Sequence, residues 1–336
     1  MTPVILFGGK SPEHAVSVAS AAHVANALLQ RGQPPLLVGI GKTGRLFYYP
    51  HFPASLTADG WEASATPLTV TLDEGGALFS AKGLPPFRPE KVFSLLHGGQ
   101  GEDGHWQGFL SLLSLPFVGS GLLSSALCMN KAKAKALASY YGVPTAPFLV
   151  AENASTETLA EVLRTLSYPL FVKPLSGGRS LGVSRVESAV TLRSALKTAL
   201  SYDGRAILEE EIAGSELSVG VLEKKGRLLL SPVGELRSDS GFFDYDKKYK
   251  THTAHFAIPA LLSEKEEKQV KDTAAFLFRL FECRGFARID FLRNKKGAVF
   301  FNEVNTIPGF TADSLFPRLF AAIGIDPLSF LLEDEE

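Results

Sequence analysis

The chain has 336 residues, 45 % of them hydrophobic and 21 % charged, with a formal net charge of −1. That length accommodates two or three domains of ordinary size, and the composition is that of a soluble globular protein. A charge so near zero argues against a general attraction to nucleic acid or to an anionic membrane. No run of about 18 apolar residues appears, so no membrane-spanning helix is expected. The two cysteines, Cys128 and Cys283, lack metal-ligand spacing and predict reduced structural thiols in a reducing compartment.

The first residues, Met1-Thr2-Pro3-Val4-Ile5-Leu6-Phe7, run straight into Gly8-Gly9 without a basic leader. They predict a buried first strand over 3–7 and a cytoplasmic protein. Ser11-Pro12-Glu13 offers an N-cap, a first-turn proline and a first-turn acid for a helix reaching about residue 31. A strand follows over 35–40. Residues 41–90 read as irregular, with short strands among many Gly and Pro. A strand over 91–96 ends at His97-Gly98-Gly99. This β-α-β alternation predicts an open parallel sheet whose strand ends carry ligand loops.

One helix is expected over 122–141, stopping at Gly142. The strand Leu170-Phe171-Val172-Lys173 leads into the glycine-rich turn Gly177-Gly178-Arg179-Ser180-Leu181-Gly182. A helix over 188–201 and a strand over 206–210 follow. Further strands are expected near 217–223 and 227–234, then a polar loop over 238–255 and a helix over 263–282. A last helix begins near Asp313. No internal repeat or low-complexity tract is present.

The most informative stretch is Phe301-Asn302-Glu303-Val304-Asn305-Thr306-Ile307-Pro308-Gly309-Phe310-Thr311. It follows Arg288-Ile289-Asp290-Phe291 after the turn Asn294-Lys295-Lys296-Gly297. Both runs read as strands of a hairpin. Side chains alternate along a strand, so Arg288 shares a face with Asp290, and Glu303 with Asn305. If those faces meet, two carboxylates, an amide and a guanidinium converge. Hard oxygens of that kind suit Mg²⁺, which also takes phosphate oxygens and water.

Other positions each carry two readings. The glycine turn is either a plain hairpin turn or a backbone cradle for phosphate. It is no Walker A loop, because neither Lys-Ser nor Lys-Thr follows the last glycine. Lys173, on a buried strand, needs either a nearby glutamate or a phosphate. Glu13 either complements a helix dipole or holds a substrate ammonium. His97 opens a run with four glycines in eight residues, which implies close backbone approach; a structural and an acid/base role are balanced there. The segment Asp244-Tyr245-Asp246-Lys247-Lys248-Tyr249 has the length and polarity of a lid. His252 and His255 lack a third ligand and read as loop residues. No Gly-x-Gly-x-x-Gly follows the first strand, which disfavours a dinucleotide oxidoreductase.

Together these motifs resemble the D-alanine–D-alanine ligases of the ATP-grasp class. The marks are Phe7-Gly8-Gly9 with Ser11 to Ser17, His97 to Gly104 with Gln107-Gly108, and Gly119-Ser120-Gly121 leading to Cys128-Met129-Asn130-Lys131. Val172-Lys173-Pro174, the 244–249 loop, Arg288 to Phe291 and Asn302 to Ser314 complete the series, which covers almost the whole chain. The resemblance implies an α/β, three-domain ATP-grasp fold. A Rossmann-like substrate-binding domain would span 1–121, a central domain with the glycine loop 122–211, and a C-terminal domain with lid and metal site 212–336.

It also implies a reaction: ATP phosphorylates one D-alanine, and the amine of a second displaces phosphate. Glu13 would hold the first substrate's ammonium and His97 would lie beside it. Lys131, Lys173, Gly178, Arg179, Ser180, Glu209, Glu216, Lys248 and Asn302 would serve ATP, with Tyr249 closing the lid. Asp290, Glu303 and Asn305 would bind Mg²⁺ or Mn²⁺, normally as two ions. Arg288 and the Gly309 N–H would stabilise the oxyanion, and Ser314 would bind the second carboxylate. A homodimer, no nucleic acid and no membrane partner are part of the same implication.

Two positions depart from the family pattern. Asn130 stands where Asp is common. Arg179 stands where the family usually has a serine linking Glu13 to the lid tyrosine. Three arrangements are open for Arg179: pairing with Glu13 and weakening catalysis, reaching phosphate, or turning to solvent while Ser180 substitutes. Alternatives to the dipeptide ligase are a D-alanine–D-lactate ligase, disfavoured by Lys248-Tyr249, and a catalytically impaired nucleotide-binding relative.

Overall fold

A computed structural model describes residues 2–178, 181–237 and 255–332. In the first section, β1 is Val4–Gly8, α1 His14–Gln30, β2 Leu36–Ile40, β3 Leu46–Tyr49, β4 Thr66–Asp73, β5 Gly76–Ala81, β6 Leu84–Phe87, β7 Val92–Ser94, α2 His105–Leu112 and β8 Phe117–Val118. They form one sheet in the order β6-β5-β4-β3-β2-β1-β7-β8. The pairs around β1 and between β7 and β8 are parallel, while the successive pairs from β2 to β6 are antiparallel. The expected parallel sheet is therefore only half of a mixed one. Residues 41–90, read as irregular with some short strands, supply four strands of this sheet.

Strand β1 is apolar throughout because both of its faces are covered. Ile5 and Phe7 pack with Val18, Ala21, Val24, Ala25 and Leu28 of α1, and Val4 and Leu6 pack on the other side with Leu110 of α2. A central parallel strand buried on both faces needs such a run. Helix α1 starts later than its sequence suggests. Glu13 is the N-cap, and the Ser11 hydroxyl accepts the Glu13 N–H at 3.0 Å, so Ser11-Pro12 forms a turn ahead of the helix.

Next come α3 Leu122–Met129, α4 Lys131–Tyr140, β9 Phe148–Ala151, α5 Thr156–Thr165, β10 Leu170–Pro174, β11 Ser184–Val186, α6 Ala189–Asp203 and β12 Ala206–Glu210. The strands form a sheet in the order β11-β10-β12-β9. The single helix expected over 122–141 is two helices. Asn130 takes an extended ψ of 95°, and its side chain accepts the Lys133 N–H at 3.1 Å. An asparagine cap of this kind stabilises a helix start by about 1 kcal/mol. Leu170 and Val172 of β10 face the α5/α6 core, so Phe171 and Lys173 face the other way.

The last section contains β13 Gly214–Lys224, β14 Arg227–Leu230, β15 Gly234–Arg237, β16 His255–Ala257, α7 Glu264–Leu280, β17 Phe286–Asn294, β18 Val299–Asn305, α8 Leu315–Ala321 and α9 Pro327–Leu332. Its sheet runs β16-β15-β13-β17-β18, with β14 paired to β13. His255, read as a loop residue, opens β16; His252 lies outside the described residues. A complete capping box between Ser263 and Glu266 starts α7. Val270, Ala274, Leu277 and Phe278 of α7 cover Ala287, Ile289 and Phe291. Alternation then turns Arg288 and Asp290 to the opposite face.

Cys128 and Cys283 are buried as free thiols. Ser124 Oγ lies 3.3 Å from Cys283 Sγ. A hydrogen bond shared with Cys283, together with burial, pushes the Cys128 thiol well up.

Candidate active site

The hairpin of β17 and β18 is the centre of the arrangement. Asp290 lies opposite Glu303, and Arg288 opposite Asn305. The two polar faces inferred from alternation are thus one face. A register shift after Asp290 leaves Asn302 as an extra residue on β18. This bulge places Asn302 beside Glu303, where strict alternation would have put it on the far side.

Asp290 is buried and already oriented. Arg288 Nε lies 2.9 and 3.1 Å from its two oxygens, Arg288 Nη2 donates at 2.7 Å, and Ser218 Oγ donates at 2.6 Å from β13. Asn305 Oδ1 accepts the Ile307 N–H at 3.1 Å, which leaves the amide oxygen a second acceptor position. Beyond β18 the chain turns through Gly309 to Ser314. A methyl on Gly309 would lie 2.6 Å from Ser314 Oγ. Ser314 Oγ also meets the Thr311 N–H at 3.1 Å and the Thr311 hydroxyl at 2.7 Å. Gly309 and Ser314 are therefore two sides of one tight turn at the start of α8.

A second group gathers between β10, β12 and α4. Glu209, buried, forms ion pairs with Lys173 at 2.5 Å and with Lys135 at 2.8 Å. Burial alone would raise the Glu209 carboxyl, but the two ammonium groups hold it at about 2. Burial pulls Lys135 below its ordinary value against the attraction of Glu209. Burial acts on Lys173 in the same sense, yet Glu209, Glu303 and Glu216 outweigh it and raise that group. Of the two readings for Lys173, the glutamate pair is present. Lys131 Nζ donates to the Gly177 carbonyl at 2.5 Å and so pins the glycine turn to α4. Glu216 lies on β13, opposite Leu292 of β17 and Leu236 of β15.

The third group comes from the first sheet. Glu13 and His97 are both buried. A methyl on Gly98 would lie 2.5 Å from Ser11 Oγ and 2.7 Å from Glu13 Oε1, and one on Gly178 would lie 3.1 Å from the same Glu13 oxygen. Glu13 is thus wedged between the His97-Gly98-Gly99 turn and the glycine-rich turn. His97 Nε2 lies 3.2 Å from Ser20 Oγ, and its Nδ1 lies 3.6 Å from Glu102 Oε1. The neighbouring His14 accepts the Trp61 indole N–H at Nε2 and faces the Gly9 carbonyl through Nδ1 at 2.7 Å. With Trp61 donating to Nε2, the Nδ1 hydrogen points to the Gly9 carbonyl.

Arg179, Ser180, Lys248 and Tyr249 lie outside the described residues. Sequence reasoning missed Lys135, Ser218 and the bulge at Asn302. Only Lys135 carried a signal, being one helical turn beyond Lys131 and on the same face.

The burial of Glu209 gives an acid-stability prediction. Its folded value of about 2 lies below the ordinary 4.5, so its contribution is complete above pH 4.5 and lost as pH falls toward 2. The parent protein should lose thermal stability more steeply than Glu209→Gln between about pH 5 and about pH 3. Melting followed by circular dichroism checks this; parallel curves would contradict it.

Comparison with known families accounts for both ends of the chain. Residues 2–120 match the family described as D-ala D-ala ligase N-terminus, and residues 137–333 match D-ala D-ala ligase C-terminus. A D-alanine–D-alanine ligase of Mycobacterium avium is 37 % identical over 97 % of this chain and 93 % of its own length. The vancomycin C-type resistance protein VanC1 of Enterococcus gallinarum is 35 % identical over 96 % and 93 %. Among solved structures, the VanG D-Ala:D-Ser ligase of Enterococcus faecalis superposes with a TM-score of 0.87 at 32 % identity, covering 98 % of this chain and 97 % of that one. The D-alanine–D-alanine ligase of Coxiella burnetii gives 0.84 at 30 % identity, covering 98 % and 91 %. The expected ATP-grasp fold class is borne out by these neighbours.

Proposed function

The chain belongs to the D-alanine–D-alanine ligase family, and on that premise we propose that it joins two D-alanines at the expense of ATP for peptidoglycan precursor synthesis. The observation that carries the reading is the single polar face of β17 and β18, where Arg288, Asp290, Glu303 and Asn305 meet. A free carboxylate is a poor electrophile. Transfer of the ATP γ-phosphoryl group to a carboxylate oxygen of the first D-alanine gives an acyl phosphate and ADP. The amine of the second D-alanine attacks that carbonyl, loses its proton, and expels phosphate as the new amide bond forms.

The donor set fits a magnesium ion. Asp290 and Glu303 offer hard carboxylate oxygens from directly opposed positions, and Asn305 adds an amide oxygen. Among the described residues no group of three His, Cys, Asp or Glu gathers by itself. Two carboxylates with room for phosphate and water oxygens is the usual provision for magnesium at a nucleotide. When bound, the metal neutralises phosphate charge and polarises the transferred group. One or two ions and the alternative Mn²⁺ remain part of the reading.

The protein's own groups supply the rest. Glu13 holds the first ammonium, with His97 beside it. Arg288 and the Gly309 N–H face the oxyanion, which pre-positioned donors stabilise best in a dry site. Ser314, across the turn from Gly309, takes the second carboxylate. Lys131, Lys173, Gly178, Glu209, Glu216 and Asn302 form the nucleotide side; Arg179, Ser180, Lys248 and Tyr249 are assigned there by motif. Domain divisions at 121/122 and 211/212 and a homodimer belong to the same proposal. No helix among the described residues is long and apolar enough to cross a membrane.

The similarity to a D-Ala:D-Ser ligase makes D-serine a rival second substrate, beside D-lactate. Phosphate release from Mg-ATP with D-alanine alone, or with D-alanine plus D-serine or D-lactate, separates them once products are identified by mass. Dipeptide from D-alanine alone is expected. Turnover only with another acceptor would replace the proposed substrate, and none in any mixture would leave a non-catalytic relative.

The packing around Glu13 supplies a more local test. Gly98 has φ +65°, and a methyl there meets the Glu13 carboxylate. Gly98→Ala should raise the KM for the first D-alanine about tenfold, the equivalent of weakening one charged hydrogen bond. Its KM for ATP should stay close to the parent's. Equal changes in both, measured by initial rates, would remove Glu13 from the first-substrate site.

A further inference from the structure

Lys135 has no place in the nucleotide site inferred from sequence, yet it is among the most completely enclosed side chains of the protein, at 1 % exposure. It lies one helical turn from Lys131 on α4. The two lysines reach different parts of the site. Lys131 holds the glycine turn through the Gly177 carbonyl. Lys135 reaches Glu209 at 2.8 Å and the Phe301 carbonyl at 3.4 Å, next to Asn302 and Glu303. Phe301 is fixed from its other side as well, by its N–H to the Pro144 carbonyl at 2.7 Å. One face of α4 therefore joins the glycine turn, the end of β12 and β18, the strand of Glu303 and Asn305.

The charge arrangement says more. Glu209 sits between two cations, and only one of them has access to ligand: the side-chain exposure is 17 % for Lys173 against 1 % for Lys135. A single carboxylate paired with a single lysine in a dry site would bind that lysine fully. In this triad two ammonium groups share one carboxylate, and the ammonium that a ligand can meet is that of Lys173, on which Glu303 and Glu216 also act. Buried ion pairs contribute little to stability by themselves, whereas an ammonium that shares its carboxylate with a second lysine is freer to attract a polyanion.

We propose that Lys135 is a positioning residue for the nucleotide: it neutralises Glu209 from the sealed side, so that the Lys173 charge remains available to a nucleotide phosphate. Lys135 itself touches neither nucleotide nor amino acid. The inference rests on the ligase reading for the identity of the nucleotide.

Binding of Mg-ATP to the intact protein without D-alanine, measured by titration calorimetry, tests it. Lys135→Met should weaken binding about tenfold or more, as expected when a charged contact is weakened. In a Glu209→Gln background the same change should cost less than about threefold, because the carboxylate that competes for Lys173 is gone. A merely structural lysine would show the same loss in both backgrounds. The proposal is overturned if Lys135→Met binds within about twofold of the parent, or if its loss is undiminished beside Glu209→Gln. Should Lys135→Met not fold, Lys135→Gln, which keeps a polar group near the Phe301 carbonyl, is judged by the same criteria. A parent protein that binds no Mg-ATP sinks the ligase reading, and this inference with it. A parent that binds while Lys135→Met is unaffected sinks the inference alone.

Discussion

Arg288→Met should lower kcat by about a hundred- to a thousandfold if Arg288 is the proposed oxyanion donor, the usual cost of removing one such donor. The size follows from how firmly the guanidinium is held. Its Nε and Nη2 both address the Asp290 carboxylate, and Ser218 fixes that carboxylate from the neighbouring strand. The plane of the guanidinium is set before any substrate arrives, and such pre-orientation is what makes a donor effective in the transition state. Arg288→Lys keeps the charge but loses the fork, so it should recover only a small part of the rate. The KM for magnesium should rise in both variants, because Asp290 loses its bidentate partner. Steady-state kinetics at saturating substrates separates two roles. A kcat within about tenfold of the parent, with only the magnesium KM displaced, would reduce Arg288 to an orienter of Asp290.

The same hairpin shows what was legible in the sequence. Strand alternation is strict, so Arg288 with Asp290 and Glu303 with Asn305 were readable as pairs. The bulge at Asn302 was not, because no residue type announces it and only the partner strand defines it. The helix break at Asn130 carried a signal, an asparagine before a lysine-rich stretch, but the apolar spacing on either side continues across it. Helix α1 was misread at its start for a related reason. Ser11 does accept a backbone N–H, but two residues ahead in a turn instead of as a cap.

Short strands were expected between 41 and 90, but their Gly and Pro content hid that four of them extend the first sheet. An antiparallel extension with one open face needs fewer apolar residues than a central strand. Lys135 illustrates the hardest case. In Lys131-Ala132-Lys133-Ala134-Lys135 three lysines look alike, and only the packing of α4 on β12 and β18 buries one of them. The part of the site carried by Arg179, Ser180, Lys248 and Tyr249 stands on motif alone.

Phe310 offers the other large effect, and it acts on fold and site together. The ring is 3 % exposed and lies edge-on to Phe93 at 5.3 Å and to Phe286 at 5.3 Å, with Phe316 at 5.4 Å. Phe93 belongs to β7 of the first sheet and Phe286 to β17 of the third, so this ring locks two sheets at one point. It also sits between Gly309, the proposed oxyanion donor, and Ser314, the proposed contact of the second substrate. Phe310→Ala should cost about 3–5 kcal/mol, since a buried ring is removed from a packed aromatic cluster. At roughly 2–4 °C per kcal/mol for a chain of this size or somewhat smaller, the melting temperature falls by about 10 °C.

Phe310→Leu keeps most of the apolar contact and is the better probe of the site. It should fold, yet loosen the turn enough to raise the KM of the second D-alanine about threefold to tenfold. The KM for ATP should remain near the parent value, because the proposed nucleotide contacts of α4, β10 and β12 lie outside this turn. Thermal unfolding and initial rates with the D-alanine concentration varied over both sites read the two consequences separately. A stable Phe310→Leu protein with an unaltered second-substrate KM would show that Gly309 and Ser314 hold their places without the ring. The aromatic cluster would then be a structural joint between the sheets and nothing more.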